Sequence, residues 1–367
     1  MNKKSAFGLA CVTSLGLACG AASAQNVSIY GVLDLALEHV TNVGASSAGN
    51  SRMPGLTGSV PSRLGFRGTE DLGGGLRAQF TLEQGIGADT GSLNQGARAF
   101  GRQAHVCLSG PWGAVSLGRQ YSMLFWSQTE ADILGPNAHG SGSMDSYLPN
   151  ARVDNSIAYR GTFGAWGVGA TYSRGRDAVN AGPSPSGTNC AGENSADSKA
   201  CNQWSAMLRY DTAQWGASAA IDEIRGGAGA FAGLTSSAMT DRRSTVTGWT
   251  RVSGVKLGAG WIGRRNGASA STPKSELWYA GASLPMGQWV FDGQVFKLDY
   301  KNSANAATLA VLRSTYQLSK RTAVYASAGH IDNSGTLALS VSNAQAGTGP
   351  AAGEGQSGVA VGLRHSF

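Results

Sequence analysis

The chain has 367 residues, with 54 Gly, 41% hydrophobic and 14% charged residues and a formal net charge of +7. Glycine is about twice as common as usual and charge well below its usual quarter; no Gly-every-third period exists, which excludes collagen, and each Gly would cost a helix interior about 1 kcal/mol, which argues against a helical bundle. Nine Trp and ten Tyr with so small a net charge argue against disorder, leaving a β-rich, turn-rich protein of one large domain or two ordinary ones.

The chain starts with basic Met1-Asn2-Lys3-Lys4, an apolar run from Ala6 to about Cys19, and Ala22-Ser23-Ala24 before Gln25. This is the layout of a secretory signal peptide, with cleavage expected after residue 24. A mature chain 25–367 loses Lys3 and Lys4, so the 29 basic residues fall to 27 against 22 acidic ones, a net +5. No apolar run in 25–367 is long enough for a membrane helix.

From Val27 onward the hydrophobic period is two. In Ser28–Glu38 the odd positions are apolar or Gly, while the even ones include Tyr30, Asp34 and Glu38; Leu76–Glu83 alternates likewise. A strand with one apolar and one charged face meets two different solvents. Seven connections are tight, among them Gly110-Pro-Trp-Gly113, Gly164-Ala-Trp-Gly167 and Pro285-Met-Gly-Gln-Trp289. Eight are longer and polar, near 39–59, 87–97, 122–151, 176–203, 225–243, 265–275, 300–306 and 333–356. Fifteen connections join about 16 strands. Short turns on one side and long loops on the other describe an up-and-down antiparallel barrel with unlike ends, of the kind that crosses membranes. Trp112, Trp166, Trp215 and Trp289 all sit at tight turns, where an interfacial aromatic girdle would lie.

Cys190 and Cys201 flank a polar stretch of an exported chain, so a disulfide is expected there, worth about 2–3 kcal/mol in the chain-entropy model. Cys107 is then an unpaired thiol within a strand, read as a small packing residue. The chain ends in an alternating strand closed by Phe367.

Several stretches resemble the general porins of Gram-negative bacteria, most closely the trimeric β-proteobacterial type. They are Val27-Ser-Ile-Tyr-Gly-Val-Leu-Asp34, Ser62-Arg-Leu-Gly-Phe-Arg-Gly-Thr-Glu-Asp-Leu-Gly-Gly-Gly-Leu76, Leu117-Gly-Arg-Gln120, Tyr316-Gln-Leu-Ser-Lys-Arg-Thr-Ala-Val-Tyr325 and Gly362-Leu-Arg-His-Ser-Phe367. The resemblance implies an all-β, 16-stranded transmembrane barrel in the outer membrane and a homotrimer among lipids and lipopolysaccharide. It also implies a third loop, about 122–150, folded inward to narrow the pore. Arg63, Arg102 and Arg160 match the basic wall of such a pore, and Glu130, Asp132 and Asp145 are the acids on the opposing loop. Phe367 matches the signal read by the barrel assembly machinery. The loop tip departs from the family: Gly135-Pro-Asn-Ala-His-Gly140 lacks its usual Glu, which weakens the acidic side. Around Arg102 the alternation would turn His105 outward.

The expected function is passive diffusion of ions and small hydrophilic solutes with modest anion preference. A substrate-specific channel is the alternative, and a barrel enzyme acting on lipid a more distant one. Most aromatics read as outward or interfacial, which disfavours a sugar-specific channel. Gly258-Ala-Gly-Trp-Ile-Gly263 fits the dinucleotide pattern but opens no helix. The five His show no metal spacing and no nucleophile elbow is present. No enzyme activity, metal, cofactor or nucleic-acid partner is expected.

Overall fold

The computed structural model describes residues 26–176, 190–228, 230, 233–342 and 347–367; the expected signal segment 1–24 lies outside them. The long strands, in chain order, are β1 (Asn26–Val43), β2 (Arg63–Gly73), β3 (Leu76–Gly87), β4 (Gln103–Gly110), β5 (Gly113–Tyr121), β6 (Arg152–Phe163), β7 (Trp166–Arg176) and β8 (Gln203–Asp211). They continue as β9 (Trp215–Arg225), β10 (Thr240–Val252), β11 (Val255–Asn266), β12 (Lys274–Met286), β13 (Trp289–Tyr300), β14 (Ala306–Gln317), β15 (Thr322–Ser334) and β16 (Gln356–Ser366). Each pairs antiparallel with its neighbours in sequence, so the sheet is an up-and-down barrel of 16 strands. Two short strands, Ala48–Arg52 and Ser92–Leu93, only lengthen the pairing of β1 and β3.

Closure comes from β1 serving two partners. Its first half, Asn26–Val32, pairs with β2, while Val32–Val40 pairs with β16, from Val32 opposite Ser366 to Val40 opposite Gly358. The seam ends in a reciprocal pair of main-chain hydrogen bonds between Gly31 and Phe367, at 3.0 and 3.1 Å. Gly31 is required there, because a Cβ would stand 2.4 Å from the Phe367 ring.

Alternation assigns the two faces. Ile29, Leu33 and Leu37 of β1 and Val359, Val361 and Leu363 of β16 are exposed on the outside, whereas Asp34, Ala36 and Glu38 are buried within. Leu37 and Leu312, 67% and 70% exposed, would be liabilities in water but are solvated by hydrocarbon. No described helix is long and apolar enough to cross a membrane, so the crossing falls to strands whose backbone groups are paired around the closed sheet. Trp112, Trp166, Trp215 and Trp289 lie exposed at the tight turns of one end. Tyr210 joins Trp166 and Trp215 at ring distances of 4.9 and 5.3 Å.

The lumen is mostly polar, but one apolar cluster lies within it, under the inward loop. Leu124, Leu134, Met144 and Leu148 of the loop meet Ile262, Tyr279, Phe296 and Leu309 of the wall.

Candidate functional site

Between β5 and β6 the chain turns into the barrel. It forms helix α1 (Met123–Gln128), helix α2 (Ser141–Met144) and a single 3-10 turn at Leu148–Asn150. Because these helices are too short to stand alone, the wall of β8 to β15 holds them. Ser205 Oγ accepts from the Met123 N–H at 2.9 Å, Thr247 Oγ1 donates to the Ser127 carbonyl at 2.9 Å, and Gln294 Oε1 accepts from the Leu134 N–H at 2.8 Å. Gly258 makes the closest approach possible, since a Cβ there would come within 2.1 Å of the Ala131 carbonyl oxygen. The dinucleotide-like run Gly258–Gly263 therefore lies inside β11, and its first glycine seats the loop.

The tip, where the sequence lacks an acid, is held by one from the wall. His139 Nε2 lies 3.1 Å from Glu38 Oε1, and Nδ1 lies 3.0 Å from Ser327 Oγ. Asn137 donates to the Ser59 carbonyl at 2.8 Å. Ser59 belongs to a second inward segment, 56–62, whose Gly58 carbonyl accepts from Arg313 and whose Ser59 hydroxyl accepts from Arg364 at 2.7 Å. Sequence reading assigns no role to this segment; the burial of its polar Thr57, Ser59 and Ser62 has no hydrophobic pattern to announce it.

The three loop acids are brought to one side, each against its own partner. Glu130 pairs with Lys256 at 2.7 Å. Asp145 accepts from Arg243 at 2.7 and 3.1 Å, and Arg243 also meets Asp241 at 3.0 Å. Asp132 is buried, accepting from Ser141 at 2.6 Å and from Gln294 at 3.0 Å. Burial pushes the Asp132 carboxyl above its usual value, and those hydrogen bonds offset it only in part. Burial acts the same way on Asp145, but the Arg243 and Arg264 guanidiniums outweigh it and hold this carboxyl low.

The predicted basic residues lie on the other side, from β2 to β6. Arg102 precedes β4, buried, donating to Glu83 at 2.7 Å and to the Tyr121 hydroxyl at 2.8 Å. Arg63 reaches the same Glu83 only at 3.6 Å. Arg160 is exposed on the lumen face of β6, in line with Ser156 and Ala158, with its guanidinium 4.2 Å from the Trp126 ring centroid. Trp126 is half-buried beside Phe125, which stacks on Tyr121 at 3.8 Å.

One expectation is corrected. His105 faces the lumen: Val106 and Leu108 are the exposed outer residues of β4, so Gln103, His105, Cys107 and Ser109 share the inner face. Arg102 lies before the strand begins and does not set its alternation. Beside the many aromatics exposed outside, Tyr121, Tyr147, Tyr279, Phe296 and Tyr325 are buried within. Cys190 and Cys201 are joined, with Cα atoms 5.1 Å apart, and Cys107 is a free, half-buried thiol.

A sequence profile described as Gram-negative porin matches residues 10–336. The outer membrane porin protein 32 of Delftia acidovorans is 32% identical over the full length of both chains. An outer membrane porin protein of Bordetella pertussis is 31% identical over 47% of this chain and 50% of its own. Among solved structures, an anion-selective porin from Comamonas acidovorans superposes with a TM-score of 0.75 at 26% identity, covering 94% of this chain and all of its own. OmpT of Vibrio cholerae, at 15% identity, shares the fold with a TM-score of 0.66 over 94% of this chain and 98% of its own.

Proposed function

We propose how this channel chooses its solutes from one premise: the chain belongs to the Gram-negative porin family, and it forms an outer-membrane channel for passive diffusion. The proposal is a modest preference for anions, set by Arg160 and Arg63 on the β2–β6 wall. The observation that carries it is a difference in exposure. Asp132, Asp34 and Glu83 are buried, and Asp145 is enclosed by Arg243, while Arg160 stands in the lumen with no carboxylate in ion-pair range among the described residues. A permeating ion responds most to charge it can approach; the fields of Glu83 and Asp145 are offset by their arginines, and burial disfavours the charged form of Asp132. Arg102 acts as a spacer holding Glu83 away from the passage. Glu130, matched by Lys256, adds little net charge. Anion selectivity is what the Comamonas relative is described as having, which supports the same sign here.

Reversal potential across a KCl gradient in a planar bilayer tests this reading: a potential of the cation-selective sign rejects it.

We read the protein as a channel and not as an enzyme. On the outer face His330 does stand between Ser357 Oγ at 2.8 Å and Asp332 at 3.1 Å. Yet the Ser357 N–H is already donated to Thr41, and the Asp332 side chain is 72% exposed. Such a chain offers neither a free amide at the serine for an oxyanion nor a desolvated carboxylate behind the histidine. We also assign a homotrimer, contact with membrane lipid and lipopolysaccharide, and recognition of Phe367 during barrel assembly.

A further inference from the structure

We propose that Arg160, Trp126 and Phe125 form a binding site inside the channel for flat aromatic carboxylates. The inference rests on the reading that solutes pass along the β2–β6 wall, and it adds the class of solute that this wall retains.

Arg160 differs from the ion-paired lumen arginines in what occupies it. Arg243, Arg264 and Arg313 each spend their guanidinium on a carboxylate, and Arg102 on Glu83 and Tyr121. Arg160 instead lies over the Trp126 ring at 4.2 Å, exposed, with no hydrogen-bond acceptor on its N–H groups among the described residues. A guanidinium so placed keeps its donor edge for a planar, two-oxygen acceptor, and carboxylate fits that fork. Gln120 beside it is neutral and bonded to Ser116 and Ser156, and Asp154 of β6 is paired with Arg98 and Arg119.

The rings set the second half of the specificity. Phe125 and Trp126 meet edge to face at 5.5 Å, both half-buried, and Tyr121 backs them at 3.8 and 6.0 Å. Arg152 in turn lies 4.6 Å over Tyr121, fixing the cluster from behind. Side chains held on several sides cost little further entropy when a ligand arrives. An aryl group joined to the carboxylate gains stacking here, whereas a saturated ring of equal charge gains only area.

Benzoate, cyclohexanecarboxylate and acetate added to KCl during bilayer conductance test this. Benzoate should block chloride current at about a fivefold lower concentration than cyclohexanecarboxylate, the ratio worth about 1 kcal/mol of ring contact. Arg160→Gln should remove the block, and Phe125→Leu and Trp126→Leu should each erase the preference for the aromatic acid. Equal block by benzoate and cyclohexanecarboxylate in the unaltered protein overturns the site, with no variant needed. So does benzoate block that persists in Arg160→Gln. The reversal potential separates the two proposals: a cation-selective sign with benzoate block retained rejects the anion preference and leaves this site standing.

Discussion

The two sides of the lumen carry similar chemistry to opposite ends. From β10 to β14, charges cancel in place: Arg243 with Asp145 and Asp241, Arg264 with Asp241, Arg313 with Asp292, and Lys256 with Glu130. That side carries the inward loop, and its ion pairs are fasteners. From β2 to β6 the balance is broken, because Glu83 is shared by Arg102 and Arg63 while Arg160 rests on an aromatic ring. On that side one exposed guanidinium has no carboxylate in ion-pair range among the described residues. Counting arginines would rank the two sides alike. What separates them is whether each cation has a carboxylate of its own.

The largest effect should come from breaking a fastener. Arg243→Met leaves Asp145 and Asp241 to share Arg264 in a buried place, and removing one partner of a buried pair costs about 3–5 kcal/mol. Loop docking should fail, seen as faster proteolysis between residues 129 and 150 and noisy single-channel current; a quiet, protease-resistant channel would mean that the contact holds nothing.

Next in size is the shift in selectivity. Arg160→Gln should move the KCl reversal potential toward cations, whereas the double change Glu130→Gln with Lys256→Gln should leave it in place, since that pair contributes no net charge. Equal shifts from both would erase the distinction between the two sides.

Acidification should split the loop's own anchors. Asp145 is held low by Arg243 after burial has raised it, so its contribution is present above the ordinary Asp range and is lost as pH falls through its depressed value. Asp132 is raised by burial, so its contribution is full below the ordinary Asp range and weakens as pH rises through its elevated value. Hydrogen exchange, corrected for intrinsic rates, should show residues 129–134 tightening in mild acid and residues 143–150 loosening in stronger acid. The smallest effect is expected from reducing Cys190–Cys201: local constraint worth about 2–3 kcal/mol in the unfolded-chain account, with reversal potential unchanged.

Most of the barrel is legible in the sequence because a strand's period of two is a local signal. The alternation of Ser28–Glu38 puts Asp34 and Glu38 on one face, where the structure has them. Loop lengths distinguish the two ends. Partners across the lumen have no such signal. Nothing near His139 says that Glu38, a hundred residues earlier, supplies the acid its loop tip lacks, and nothing near Asp145 points to Arg243. His105 is misplaced for a smaller reason: alternation counted from Arg102 starts one residue before pairing begins at Gln103. A face assignment is only as good as the first residue of its strand.

The bonds between Gly31 and Phe367 join the beginning of the barrel to the residue that follows β16. Every other strand can find its neighbour while later ones are still missing, but β1 must wait for β16. Deleting Phe367 would keep the strands and the lumen charges, yet leave the Gly31 amide and carbonyl without these partners. The seal between β1 and β16 therefore rests, at this end of the seam, on the main chain of Phe367.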